Sequence, residues 1–263
     1  MANMTFDKYI DNPSGGQAFT NRQMYKQMYK NKFDVLMVRE QGIINYKIYK
    51  SDDTSDAYFI HFKIPSEVVE KFYYDVVIRL YTIGDDRKND VNLRNYFVNF
   101  YSNDPAFVYT FAYSFRKNKL FIKDLEPKMS KKALRERAEI RNPDNQVWYV
   151  KSLFFAYLAM EKYHLFTRSM LNQNCEKYDR KKLMSNIMDA DDKIAARQHE
   201  AELINQRKKK EKEEARKELL KKAHTSPLPK HNSKIAKVST VSKTTKTSKV
   251  SRTTRISKRT KIT

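Results

Sequence analysis

Between Lys32 and Tyr101 the apolar residues are mostly β-branched or aromatic, and they stand in short runs separated by polar turns. This pattern is typical of β-strands. Around Ile78 the apolar residues alternate with a mixed set, as expected for a strand with one buried and one partly solvated face. Gly42 and residues 51–56 are predicted to form hairpin turns between the first three strands. The five predicted strands of a mostly antiparallel sheet are Phe33–Arg39, Ile43–Tyr49, Tyr58–Ile64, Tyr74–Tyr81 and Tyr96–Tyr101.

A helical period precedes this region. After a predicted loop at residues 12–16, the tandem repeat QMYKQMYK over residues 23–30 stacks two methionines and two tyrosines on one stripe of a helix. The pattern predicts a helix over about residues 20–30. Its stripe either faces the core or is left exposed for a partner.

Helical signals return after the predicted sheet. Asp104 followed by Pro105 is typical of a helix start, and phenylalanines then recur every four residues. A second start at residues 142–144 precedes the most apolar helix, about Gln146–Arg168, and we expect its Trp148 to pack against the sheet. The sequence therefore predicts an α+β fold with a mostly antiparallel sheet packed by helices.

The C-terminal third has a different composition. From about Lys181 to Ala223 the chain consists mainly of Lys, Glu, Arg, Ala and Gln, which favour a helix. Ile187 and Ile194 are one heptad apart, but the next turns do not continue a seam, so a solvated helix is favoured over a coiled coil. The predicted organisation is a compact domain (residues 1–178), a charged helical spacer (179–223) and a basic arm (224–263).

The last 30 residues of this basic arm form ten triplets, and nine of the ten begin with Lys or Arg, Thr240 being the exception. A period of three matches neither a strand nor an α-helix. An extended three-fold conformer would place the cations along one edge, about 9 Å apart at roughly 3.1 Å per residue. The predicted nucleic-acid-binding residues are Lys234, Lys237, Lys243, Lys246, Lys249, Arg252, Arg255, Lys258, Arg259 and Lys261.

Charge and composition indicate what the arm binds. The chain carries 53 basic and 31 acidic residues, and 13 of the basic but none of the acidic residues lie between Lys221 and Thr263. Such a segment cannot bury enough apolar surface to fold alone. It also lacks the aromatic platforms of single-strand binders and the apolar anchors of membrane-surface helices. A phosphate backbone or an acidic partner surface is therefore expected, with a solubilising tail or a nuclear localisation signal as alternatives.

Residue patterns for catalysis or metal binding are missing from the sequence. The five histidines are widely separated without a metal-ligand spacing, and Cys175 has no second cysteine for a disulfide or a metal site. His61 in a predicted strand and His164 in a predicted helix are interpreted as structural. Since the chain has 4 glycines, it has no room for a glycine-rich phosphate loop. We predict no catalytic residue, cofactor or metal, and an enzyme with an unrecognised site remains the alternative.

Patterns for secretion and for a membrane-spanning helix are also missing from the sequence. The N-terminus has no basic segment followed by an apolar core, and no apolar run approaches the roughly 18 residues that a spanning helix needs. The richest run, Leu153–Met160, is much shorter. A single cysteine fits a reducing compartment. The sequence therefore predicts a protein that is not secreted and does not cross a membrane.

Two strings, FYSNDPAFVYTFAY at residues 100–113 and FYYDVV at residues 72–77, stand in a chain rich in Asn, Lys and Tyr. In these strings and in this composition, the chain resembles structural proteins of tailed bacteriophages with AT-rich genomes, over about residues 33–170. The resemblance assigns no functional residue. It implies a virion component near the portal, the neck or the capsid interior, assembled in the host cytoplasm.

Together, the basic arm and the resemblance predict a non-enzymatic virion protein such as a head-tail connector. We expect a homo-oligomeric ring that contacts other virion proteins (portal, neck or capsid) and reaches the DNA backbone, or an acidic partner surface, through the basic arm. The alternative is a free, sequence-independent protein that binds or condenses nucleic acid.

Overall fold

The computed structural model describes residues 4–11, 21–52, 56–83, 91–148 and 150–225. They form an α+β fold with a five-stranded sheet, which confirms the predicted fold class. The sheet order is β4-β3-β2-β1-β5, and all pairs are antiparallel except the parallel pair β1–β5. The strands are β1 (Tyr46–Lys50), β2 (Tyr58–Pro65), β3 (Tyr73–Tyr81), β4 (Phe97–Ser102) and β5 (Cys175–Lys177).

The helices precede, follow and connect the strands. Two 3-10 turns cover Leu93–Asn95 and Lys123–Lys128, and a π-helical turn covers Phe107–Phe111. The α-helices of the described residues are α1 (Phe6–Ile10), α2 (Asn21–Arg39), α3 (Ala112–Lys117), α4 (Lys131–Arg135), α5 (Lys151–Lys162), α6 (Arg168–Gln173), α7 (Arg180–Ser185) and α8 (Ala190–Thr225). The chain divides into two units after Glu213, and the described part of the second unit is the end of α8.

Side chains cover both faces of the sheet. On one face, Phe100 of β4 packs against Phe6 of α1 and Phe115 of α3, with ring centroids 6.2 and 5.8 Å apart. On the other face, Tyr178 stacks on Phe59 of β2 at 4.1 Å. Burial on both faces explains why β2 and β3 are nearly continuously apolar.

The second face of β3 is partly solvated, as predicted, but not along its whole length. Val77 on this face is fully buried, while Arg79 and Tyr81 near the end of the strand are partly exposed. Segments that come later in the chain cover part of this face of the sheet: Phe121 packs against Tyr101 of β4, and Tyr178 against Phe59 of β2. A solvated face and a face covered by a distant segment have the same local alternation.

The predicted strand Phe33–Arg39 is wrong, because these residues are the last turns of α2. Phe33, Leu36 and Met37 are buried at a spacing of three and four residues, which is a helical period. A short apolar run fits both a strand and a helix, and here the run continues the helix that begins at Asn21. Gly42 consequently ends α2 and is not a hairpin turn: its φ is 79° and its N–H donates to the carbonyl of Met37 at 2.7 Å.

The predicted helix Gln146–Arg168 is shorter in the structure, where α5 covers Lys151–Lys162. The side chain of Asn142 accepts a hydrogen bond from the N–H of Gln146 at 2.8 Å and donates to its carbonyl at 2.9 Å. This side chain holds the preceding residues in a turn, so Trp148 lies before the helix and is only partly buried against the core. The predicted helix start at Asp104 is confirmed, since its carboxylate accepts from the N–H of Ala106 at 2.9 Å.

Other predictions are missed or stay untested. The short strand β5 was not predicted, because three residues with a polar sequence carry no strand pattern. The predicted loop at residues 12–16 lies outside the described residues. In the segment assigned to the spacer, Leu183, Ile187, Ala190 and Ile194 are buried in the core, which therefore continues past residue 178.

Candidate functional site

The predicted nucleic-acid-binding residues of the basic arm, all between Lys234 and Lys261, lie outside the described residues. The structure therefore does not test their role. It does describe α8, the helix that precedes the arm in the chain. Two parts of the described region carry clustered polar chemistry: a buried network at the base of α8, and a cleft beside α2 and α5.

The buried network is centred on Asp75 of β3, whose side chain is fully buried. Its Oδ1 lies 2.9 Å from His61 Nε2 and accepts a hydrogen bond from Lys63 Nζ. Its Oδ2 accepts from Asn103 Nδ2 at 2.8 Å, and Asn103 Oδ1 accepts from the Asp75 N–H at 2.7 Å. The carboxylate is therefore surrounded by donors, as a buried charge requires.

Two members of the network continue to the residues just before α8. Lys63 Nζ donates to the carbonyl of Asn186 at 3.0 Å, and Asn103 Nδ2 donates to the carbonyl of Met188 at 3.2 Å. Lys128 also forms a 2.9 Å salt bridge with Asp189. These contacts attach the residues just before α8 to β2, to the end of β4 and to the 3-10 turn Lys123–Lys128.

The pKa of Asp75 depends on two opposing effects, its burial and its contacts with His61 and Lys63. Burial by itself would raise this pKa, but hydrogen bonds and favourable electrostatic interactions with His61 and Lys63 lower it to about 2. The carboxylate is therefore ionised at neutral pH. Because it is enclosed by its donors, the arrangement suits a structural anchor and not a group that meets a substrate.

The cleft has a volume of about 480 Å³. It is lined by residues of α2, the loop after β2, the helix start at Pro105, the N-terminus of α5 and one turn of α8. Lys151 forms a 2.7 Å salt bridge with Glu67 across this cleft. Its six charged lining residues are Lys32, Glu67, Asp104, Arg141, Lys151 and Arg197.

Two tyrosines also line the cleft. Burial raises the pKa of both Tyr29 and Tyr74, and nearby carboxylates add to the effect: Glu67 and Asp104 for Tyr29, and Asp104 for Tyr74. Both phenols therefore stay protonated at neutral pH. The cleft combines basic side chains, neutral phenols and apolar walls, which is the usual mixture of a ligand site.

The described histidines lie apart from one another. His61 belongs to the buried network, whereas His164 is exposed in a turn after α5 with a φ of 56°, not in the helix predicted for it. Among the described residues, no three His, Cys, Asp or Glu side chains converge where they could hold a metal ion. None of the described helices is both long and apolar enough to span a bilayer.

Sequence reasoning did not single out the Asp75 network, although part of the signal is present. Asp75 is a lone carboxylate in the apolar stretch YYDVVIRLY, and His61 and Lys63 are two residues apart in β2, so they share a face. The strand register, which places Lys63 opposite Asp75, was the missing information. The cleft residues carry no such signal, because they come from segments far apart in the chain.

Comparison with known proteins adds no family assignment. No family model matches the chain, and no curated protein or solved structure shows significant similarity to it.

Proposed function

We propose that this chain is a non-enzymatic structural protein of a tailed-phage virion, in a portal-vertex or neck ring or associated with the capsid. Its basic arm would contact packaged DNA or an acidic partner surface. The observation that carries the proposal is the register of the arm: nine of its ten triplets begin with Lys or Arg, and no acidic residue follows Lys221. Such a repeat supplies evenly spaced cations without competing anions.

The folded part supports this proposal through its link to the arm. The start of α8 is attached to the sheet by Lys63 and Asn103 and by the burial of Ala190 and Ile194. Because the basic arm follows this helix in the chain, binding of the arm to a partner would tether the folded domain to the same partner. In a ring, several arms would act together, and their combined affinity would exceed that of one arm.

A free nucleic-acid-binding protein is the second candidate, since the same basic arm would serve it. The oligomeric state separates the two. A closed ring in solution, measured by sedimentation velocity or native mass spectrometry, supports the virion component. A monomer that binds DNA supports the free binder.

The salt dependence of DNA binding tests the role of the arm. If its cations contact phosphates, log K should fall with log salt by about 0.9 for each phosphate contacted, which gives a slope near −8 for nine engaged triplets as an upper bound. Replacing Lys243, Lys246 and Lys249 with Gln should reduce the steepness of the slope by up to about 3. Affinity should fall alike for all duplex sequences.

The matched control replaces Lys117, Lys119 and Lys123, which are exposed on the folded domain, with Gln. It removes the same charge from outside the arm and should leave the slope nearly unchanged. A wild-type slope near zero would refute phosphate contacts. An equal loss in both triple variants would show that total charge, and not the arm, determines binding.

A further inference from the structure

The cleft beside α2 and α5 has an excess of positive charge. Of its two carboxylates, Glu67 is paired with Lys151, and Asp104 accepts from the N–H of Ala106. Among the described residues, none of the other three basic side chains of the cleft forms a salt bridge with a carboxylate. These three are Lys32, Arg141 and Arg197. The cleft therefore attracts a negatively charged group.

The N-terminus of α5 adds to this attraction. Val150 precedes the helix and provides no side-chain cap for its first N–H groups, and both Lys151 and Ser152 line the cleft. Uncapped amides at a helix start carry partial positive charge and favour an anion. This feature supports the charge argument and does not stand alone.

Two buried polar atoms of the cleft residues indicate what else the ligand must offer. Glu67 Oε1 and Arg197 Nε are buried and have no hydrogen-bond partner within the described part of the chain. A buried polar atom without a partner destabilises the structure that contains it. Neither atom is exposed to solvent, so a ligand in the cleft supplies the missing donor and acceptor only as the lining side chains shift on binding.

These two atoms distinguish between classes of ligand. A phosphate group has acceptor oxygens for Arg197 but no donor for Glu67, and it would bring negative charge towards that carboxylate. A peptide has main-chain N–H groups for Glu67, and an acidic side chain on it would satisfy the basic residues. A peptide fits both requirements.

The surface next to the cleft is apolar. A second groove shares Lys32 and Glu67 with the cleft and is also lined by Val35 and Leu36. Val35 is 71% exposed, and Val68, which lines the first cleft, is 66% exposed. An apolar side chain bound in this groove would be stabilised, because binding removes apolar surface from water.

We propose that the cleft and the adjoining groove bind a short peptide segment of a partner protein that combines acidic with apolar side chains. The peptide N–H groups donate to Glu67, its carboxylates meet Lys32, Arg141 and Arg197, and its apolar side chains cover Val35. This inference holds whether or not the basic arm binds DNA, because it depends on different residues.

The single tryptophan of the chain allows the cleft to be observed separately from the arm. Trp148 packs against Phe111, a lining residue of the cleft, with ring centroids 6.4 Å apart. Full-length protein is titrated with blocked octapeptides that arrange equal numbers of Glu and Leu in every order. We expect a subset of these peptides to change the Trp148 fluorescence saturably.

Variants then locate the site. Lys32→Gln and Arg141→Gln, both at exposed positions, should each weaken binding of that subset about tenfold, which corresponds to about 1.4 kcal/mol. Lys123→Gln removes the same charge elsewhere and should bind like the wild type. Because every variant keeps the arm, attraction of the peptides to the arm is equal in all of them.

Two further probes complete the test. A blocked octaglutamate should bind the arm without changing the Trp148 signal, and inorganic phosphate at millimolar concentration should not displace the bound peptides. The proposal is overturned if no peptide changes the signal, if the two cleft variants bind as tightly as Lys123→Gln, or if phosphate displaces the peptides. None of these results would alter the salt slope of DNA binding, so failure here is distinct from failure of the arm's role.

Discussion

The first and the later turns of α8 belong to one continuous helix but are held in different ways. In the first turns, Ala190 and Ile194 are buried in the core, and the residues before them are held by Lys63 and Asn103. Every side chain from Asn205 to Leu220 is exposed. The same helical backbone is thus supported by tertiary contacts at one end and by local ones at the other.

This contrast shows where a charged helix draws its stability from. In the later turns only helix propensity and pairs such as Glu214 and Lys217, three residues apart, are available, and each such pair contributes about 0.2–0.5 kcal/mol. In the first turns, burial and a satisfied ionic network contribute much more. Substitutions in the two parts should therefore differ strongly in cost.

The largest effect is expected for Asp75→Ala, which leaves the buried side chains of His61 and Asn103 without their hydrogen-bond partner. We expect the free energy of unfolding, measured with urea, to fall by about 3–5 kcal/mol. The control is Glu136→Ala, which breaks an exposed pair with Lys132 and should cost at most about 0.5 kcal/mol. If the two variants were equally stable, the network would not anchor the base of α8.

A smaller effect is expected for a matched pair of truncations within α8. Ile194→Ala should lower the free energy of unfolding by about 2–4 kcal/mol, since Ile194 is 6% exposed. Leu219→Ala removes a side chain that is 68% exposed and should change stability by about 0.5 kcal/mol or less. Equal costs for the two would contradict the difference between the two parts of the helix.

The smallest of the three effects is a dependence of stability on acid. The pKa of Asp75 is lowered to about 2 in the folded chain, so its contribution is fully present above the unfolded value near 3.9 and is lost as the pH falls from about 4 to about 2. This loss should amount to about 2–3 kcal/mol. Unfolding at pH 5 and pH 2 is compared for the wild type and Asp75→Asn, which should lack this component. An equal loss in both would assign the acid sensitivity to other carboxylates.

Much of the sheet could be predicted from the sequence, because β2, β3 and β4 are runs rich in β-branched and aromatic residues. The structure of Phe33–Arg39 could not be predicted in this way. The order of apolar and polar residues in this short run fits a strand as well as the last turns of a helix, and in the structure the run is the end of α2. The predicted helix before Arg168 was too long because the side chain of Asn142 fixes a turn that periodicity does not register. The first choice depends on packing against a distant segment, such as Phe155 against Phe33. The second depends on a local side-chain hydrogen bond that apolar periodicity does not describe.

The functional regions divide in the same way. The register and net charge of the basic arm are properties of the sequence alone, because they depend on spacing and composition and not on distant contacts. The cleft is a property of the tertiary structure, since Lys32, Arg141 and Arg197 together span more than half of the chain length and meet only after folding. The register of β2 against β3 places Lys63 opposite Asp75, 12 positions further along the chain. Only this register, and not the sequence pattern, determines whether the buried carboxylate of Asp75 contacts its donors.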